Sequence, residues 1–228
     1  MRTMTDHANA AEPRAPLSWP LPAALGALML LAAIGSLFAG SVAISPGEIA
    51  RALVGGERDV LEIIVWQLRV PRTLLAMLVG ASLGLSGAVL QGLLRNPLAE
   101  PGLLGISGAA AFGAVVAFYS GFAALFLLAL PLGGMAGAAG AVTLLLVLSG
   151  PSASTLTLIL AGVAVSSLAG ALTSLALNLS PNPYAATEII FWMMGSLADR
   201  SFEHVQMAAA CMLPGWMLLF SVRRALDA

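Results

Sequence analysis

Apolar runs of bilayer-crossing length, separated by short polar breaks, dominate this chain. The runs 21–40, 73–94, 108–129, 131–148, 155–179 and 203–222 hold about 18–25 residues each. A helix rising 1.5 Å per residue needs roughly 20 to cross a hydrocarbon core. In water these side chains would have nowhere to hide. Of 228 residues, 59% are hydrophobic and 9% are charged, against roughly 25% charged in soluble domains. The expected class is all-α: a polytopic helical membrane protein with about six transmembrane helices.

Charge narrows the chemistry. A formal net charge of -1 suggests neither nucleic acid nor a polybasic lipid-binding patch. Every basic residue is Arg. Without Lys there is no P-loop and no Schiff base, so energised work would need ATP bound by another subunit. The chain is not expected to be an enzyme or to carry a cofactor of its own. Cys211 stands alone, so an internal disulfide is excluded. His7 and His204 lie far apart in sequence, and no metal site is expected.

The breaks between runs are informative. Residues 1–18 are polar and read as a disordered cytoplasmic tail; residues 19–228 form the transmembrane part. Ser41-Val42-Ala43 resembles a cleavage site, but the run before it exceeds the about 7–15 residues of a signal-peptide core, so an uncleaved span is expected. Residues 43–70 and 180–202 are too polar for lipid and are expected outside the membrane on the extracytoplasmic side. In "SPGEIARAL", Ser45, Pro46 and Glu48 make a capping box for a short helix ended by Gly55-Gly56. Pro71 is expected to start the second span, where Gly80 and Gly84 suit close helix packing. Pro97 and Pro101 disfavour helix at Asn96 and Glu100, so 95–107 is expected to be a tight turn, with Ser107 capping the next helix. The segment 184–197, apolar at 189–194 with Trp192, reads as a helix at the membrane interface.

Six spans put both termini on one side. Arginine counting does not choose the side: five of the ten fall on each. Seven of the eleven acids fall opposite the termini. A polar, proline-locked turn between spans suggests a constriction at which backbone and Asn groups face a pathway.

The stretch "RVPRTLLAMLVGASLGLSGAVLQGLLRNPLAEPGLLGISGAA" (69–110) resembles the FecCD-type permeases of ABC importers for iron–siderophores, haem and cobalamin. It carries Arg-x-Pro-Arg, a Gly-rich span with Ser-Gly and Gln, Asn-Pro-Leu-Ala, a Pro and a Leu-Gly in order. "LILAGVAVSS" (158–167) and "FWMMGSL" (191–197) match further segments. The resemblance implies cytoplasmic termini in a bacterial inner membrane and a dimer of permease subunits, homo- or heteromeric. It also implies an ABC ATPase beneath and a periplasmic or lipoprotein substrate-binding protein above. On it, Arg69 and Arg72 would dock the binding protein; anchoring of span two at the interface is the alternative. Asn96 and Leu98, with Ser154 and Thr155, would form a cytoplasmic gate. Gly162, Ser166 and Ser167 would line the pathway, with ordinary small-residue packing as the alternative. Glu188, Trp192 and Leu197 would belong to an outer gate.

The family fold has about ten spans and a cytoplasmic coupling loop after the sixth, so the sequence is expected to be a partial permease. A truncated fragment, non-functional or regulatory, is the alternative. "GISG" (105–108) superficially resembles the motif of rhomboid-type intramembrane serine proteases, with Ser107 as nucleophile and His204 as base. The expected topology puts those two near opposite faces, whereas a base must lie within about 3 Å of its nucleophile.

Overall fold

A computed structural model describes residues 19–40, 42–55, 59–126, 128–151, 153–180 and 183–226. The tail read at 1–18 lies outside the described residues. Helices α1 (Pro20–Phe38), α2 (Pro46–Val54) and α3 (Val60–Ile63) come first. A π-helical segment (Ile64–Arg69) then leads into α4 (Val70–Leu94). After a 3-10 turn (Pro101–Leu104) come α5 (Ile106–Tyr119), α6 (Phe122–Leu125), α7 (Ala129–Ser149), α8 (Thr155–Asn178), α9 (Pro183–Met193) and α10 (Phe202–Leu226). No strand is found among the described residues. The chain divides into two compact units, residues 1–73 and 74–228.

Within residues 1–73, α1 has no buried residue and exposes Leu25, Leu28, Leu31 and Ile34, as a lipid-facing helix does. The capping box forms as the sequence predicts. The Ser45 N–H donates to Glu48 Oε2 at 2.8 Å, and the Glu48 N–H donates to Ser45 Oγ at 3.4 Å. Gly55, at φ 79°, ends α2. The helix turns Ile49 and Ala52 inward onto Ile44 and Val65. Trp66 Nε1 ties the π segment to the Ala52 carbonyl at 2.9 Å.

The second run differs from expectation. Pro71 does not start it: one apolar helical run extends from Val60 to Leu94, opened by Asp59, whose carboxylate takes the Val60 N–H at 2.7 Å. Proline inside a helix clashes with the carbonyl four residues back. Here the wider π turn just before Pro71 bonds Val70 N–H to the Val65 carbonyl and accommodates the ring.

Residues 74–228 are held by α5, α7 and α8. Helices α5 and α7 cross with almost no side chain between them. A Cβ on Gly113 would lie 2.1 Å from the Gly133 carbonyl oxygen, and one on Gly137 would lie 2.1 Å from that of Ala109. In lipid no hydrophobic effect drives helices together, so close backbone approach does that work. The GxxxG pair read for this role, Gly80 and Gly84, instead has nothing within 4 Å of either Cβ position among the described residues.

Among the described residues, five helices are long and apolar enough to cross a membrane: 20–38, 60–94, 129–149, 155–178 and 202–222. The third expected span is shorter. Helix α5 has 14 residues, about 21 Å of rise. It stops at Ser120 because Gly121 turns left-handed, at φ 78°, before α6. The chain is an all-α, multi-pass membrane protein.

Candidate functional site

The proline-pinned turn is built from several independent locks. Helix α4 ends in a Schellman arrangement: the Asn96 N–H reaches the Gln91 carbonyl at 3.2 Å and the Arg95 N–H reaches that of Gly92 at 3.3 Å. This puts Arg95 at φ 47°, a conformation costly for a side chain. Asn96 Oδ1 then accepts the Leu98 N–H at 2.9 Å, closing an Asx turn. Leu94 and Ala99 are buried on either side, while Leu98 projects with 82% of its surface exposed. Pro101 opens the 3-10 turn, and Gly105 at φ 72° ends it. Gly105 is also the N-cap of α5; Ser107, expected there, lies inside the helix and makes no cap.

This turn sits on α8. A Cβ on Gly105 would lie 2.6 Å from the Ser166 backbone nitrogen, and one on Gly162 would lie 2.6 Å from the Leu103 carbonyl oxygen. Leu104, Leu145 and Ala161 form a buried cluster around the contact, flanked by Leu90, Ile106 and Leu158. The turn and α8 are therefore joined backbone to backbone.

The structure redistributes the expected site residues. Gly162 is buried and Ser166 half-buried, both facing the turn in the packing arrangement. Ser167 lies on the other face of α8, exposed, its hydroxyl donating to the Val163 carbonyl at 2.9 Å. That face also carries exposed Leu160, Ser174 and Asn178, and Asn178 Nδ2 donates to the Ser174 carbonyl at 2.8 Å. Ser154 and Thr155 are exposed at the start of α8, where Ser154 Oγ accepts the Thr157 N–H at 3.1 Å as the N-cap. The contacts between turn and α8 fall further along that helix, at 158–166.

Arg69 and Arg72 part company. Arg72 is exposed, whereas Arg69 is buried and donates to backbone carbonyls of Leu37 and Val42. In the segment read as an outer gate, Glu188 and Trp192 lie on α9, with their side chains outside the described residues. Ile189 is buried, and Leu197 is half-buried beyond a left-handed Gly195 at φ 79°. Between residues 74 and 180 the chain carries only two charged residues, Arg95 and Glu100, both at the turn.

One feature of this unit has no signal in sequence spacing. Trp216 Nε1 donates to Ser82 Oγ at 3.0 Å, joining α10 to α4. His204 is likewise committed. Its Nδ1 lies 3.0 Å from Ser201 Oγ and accepts the Ser201 N–H at 3.3 Å, which makes it part of the α10 cap. Among the described residues, no group of three or more His, Cys, Asp or Glu side chains could hold a metal ion.

Comparison with known proteins gives a consistent result. The FecCD transport family is matched over residues 28–228. The vitamin B12 import system permease protein BtuC of Salmonella paratyphi A is 42% identical over 179 residues, which is 78% of this chain and 52% of that protein. The BtuC protein of Salmonella newport matches to the same extent: 42% over 179 residues, with the same coverage of 78% and 52%. Among solved structures, an inward-facing conformation of an ABC transporter described as metal-chelate type superposes with a TM-score of 0.77 at 32% identity. That match covers 91% of this chain and 63% of the other. The chain thus spans about half the length of the curated relatives it matches.

Proposed function

Since the chain belongs to the FecCD transport family, we propose that it is a membrane-spanning permease subunit of a bacterial ABC importer. It works in the inner membrane and forms part of the pathway for an iron–siderophore, haem or cobalamin-type ligand. ATP is bound and hydrolysed by a separate subunit, and a binding protein delivers the ligand from the extracytoplasmic side. A second permease subunit completes the pathway. The observation that carries this reading is the 42% identity to the vitamin B12 import permeases over 179 residues. The metal-chelate type of the structural neighbour points to the same ligand chemistry, a bulky organic molecule that wraps a metal.

The geometry suggests how the parts act. A pathway for a bulky ligand must release what it admits, so strong binding groups in it would be a hindrance. The near absence of charge between residues 74 and 180 fits that need. The turn at 95–105 serves as the cytoplasmic stopper, with Asn96 holding its shape through the Asx turn and Leu98 as the projecting apolar tip. Backbone contact with α8 makes turn and helix one body, so opening moves them together and does not flap the turn alone. The exposed face of α8 with Ser167, Ser174 and Asn178 is the side turned toward the pathway or the second subunit; the Ser167 hydroxyl and the Asn178 amide already bond carbonyls of their own helix, so they offer a passing ligand little to hold. Outside, exposed Arg72 meets acidic groups of the binding protein, and the segment around Leu197 borders the outer mouth.

The experiment uses a single cysteine at Leu98, with Cys211 replaced by Ser, in proteoliposomes holding the chain, its ATPase and its binding protein. Reaction of the cysteine with a water-soluble maleimide should change when nucleotide and loaded binding protein are added together. A rate unchanged through the cycle, in vesicles that hydrolyse ATP in response to binding protein, would count against the gate.

A further inference from the structure

Arg69 and Arg72 carry the same charge three residues apart. In a regular α-helix residues three apart lie on one face, so the pair should share one environment. They do not: Arg72 is exposed and Arg69 is 5% exposed. A guanidinium offers five N–H donors and no acceptor, and removing it from water is costly unless those donors are used and the charge is met.

Within residues 1–73, two of those donors find carbonyl partners and the charge meets a helix end. Arg69 Nη1 donates to the Leu37 carbonyl at 2.6 Å, and Nη2 donates to the Val42 carbonyl. Leu37 belongs to the last turn of α1. Carbonyls there lack helical partners and form the negative end of the helix dipole, a natural seat for a cation. Gly40 completes the seat. A Cβ at that position would lie 2.9 Å from Arg69 Nη2 and 3.2 Å from Cζ, so a side chain at 40 competes with the guanidinium for space. One helical turn on, Thr73 Oγ1 bonds Ser36 Oγ at 2.9 Å, and one turn back Val65 is fully buried. The face Val65–Arg69–Thr73 therefore belongs to the interior of this unit.

We infer that Arg69 is a positioning residue: it clamps the C-terminal end of α1 and the strand of chain that follows, and leaves Arg72 as the positive charge this pair offers to an acidic partner. The two arginines divide one motif between an internal job and an external one.

Phenylglyoxal modification of the purified full chain in detergent, read residue by residue by peptide mass spectrometry, tests the clamp. Arg72 should react roughly tenfold or more faster than Arg69, because Arg69 reacts only after two hydrogen bonds open. Gly40→Leu should evict the guanidinium and raise the Arg69 rate to that of Arg72. Gly26→Ala, at a position with nothing within 4 Å, should leave the ratio as it was. Equal rates at the two arginines in the unaltered protein would overturn the inference, as would an Arg69 that stays protected in folded Gly40→Leu. The labelling pattern stands whether or not Arg72 docks a partner, so failure of the docking reading and failure of the clamp are distinguishable.

Discussion

Replacing Gly162 with alanine puts a methyl group where α8 meets the backbone of the proline-pinned turn. That carbon would sit 2.6 Å from the Leu103 carbonyl oxygen, 2.9 Å from Leu104 Cα and 3.3 Å from Leu104 Cδ2. Close carbon–oxygen contacts lie near 3.3–3.6 Å, so turn and helix must separate by about 0.7 Å. The Leu104 side chain can swing aside; the Leu103 carbonyl, inside a 3-10 turn between Pro101 and Gly105, has little room to do so. Overpacking of this kind costs about 1–3 kcal/mol. Alanine also gains up to about 1 kcal/mol over glycine as a helix former. Gly170→Ala isolates that gain, being on the same helix with nothing within 4 Å. The difference between the two variants is then the packing cost alone. At about 2–4 °C per kcal/mol for a chain of this size, Gly162→Ala should melt about 2–12 °C below Gly170→Ala. Thermal unfolding in detergent, followed by near-ultraviolet circular dichroism, measures it. If the two variants melt together, the backbone seat is not where the structure puts it.

Two further outcomes are expected. The bonds Glu48 makes with Ser45, through its side chain first and then its backbone, hold the carboxyl below the ordinary glutamate value, with a smaller contribution from Arg51. A folded value below the unfolded one means the box stabilises α2 above the ordinary carboxylate range and is lost as pH falls through the folded value. Hydrogen exchange at the Ser45 amide, corrected for intrinsic rate, should lose protection on acidification, and Glu48→Gln should flatten that dependence. Arg95→Gly should raise the melting temperature by about 2–4 °C, because glycine holds φ 47° without the roughly 1 kcal/mol strain of a side chain; a lower melting point would show that the Arg95 side chain contributes more than its backbone strain costs.

Local chemistry was the most readable part of the sequence. Ser45, Pro46 and Glu48 specify their capping box because every partner lies within one helical turn. The two prolines and Asn96 likewise define their turn from within. Partnership at a distance was not readable. Gly80 and Gly84 have the spacing of a packing motif, yet Gly113, Gly133, Gly137 and Gly162 make the close contacts. Spacing says which residues share a face; it does not say which helix meets that face. The π segment before Pro71 is not legible in the sequence because a widened turn leaves no mark in apolar periodicity. Arg69 and Arg72 look alike for the same reason: what separates them is a carbonyl on Leu37, 32 residues earlier. The break at Ser120-Gly121 lay inside an apolar run whose length alone favoured one unbroken span.

The crossing of α5 and α7 bears on the order in which the protein is made. The two helices are neighbours in the chain, parted by a short stretch, and their glycines let the backbones meet without waiting for any later element. Contacts between segments close in sequence form early, since little chain entropy is lost in closing the loop. The pair can thus mate as soon as both have left the ribosome, giving α8 a finished surface to settle on when it emerges. A bulky residue at Gly113 or Gly137 would then do its harm during biogenesis, as chain cleared by proteases before it could ever reach a purified sample.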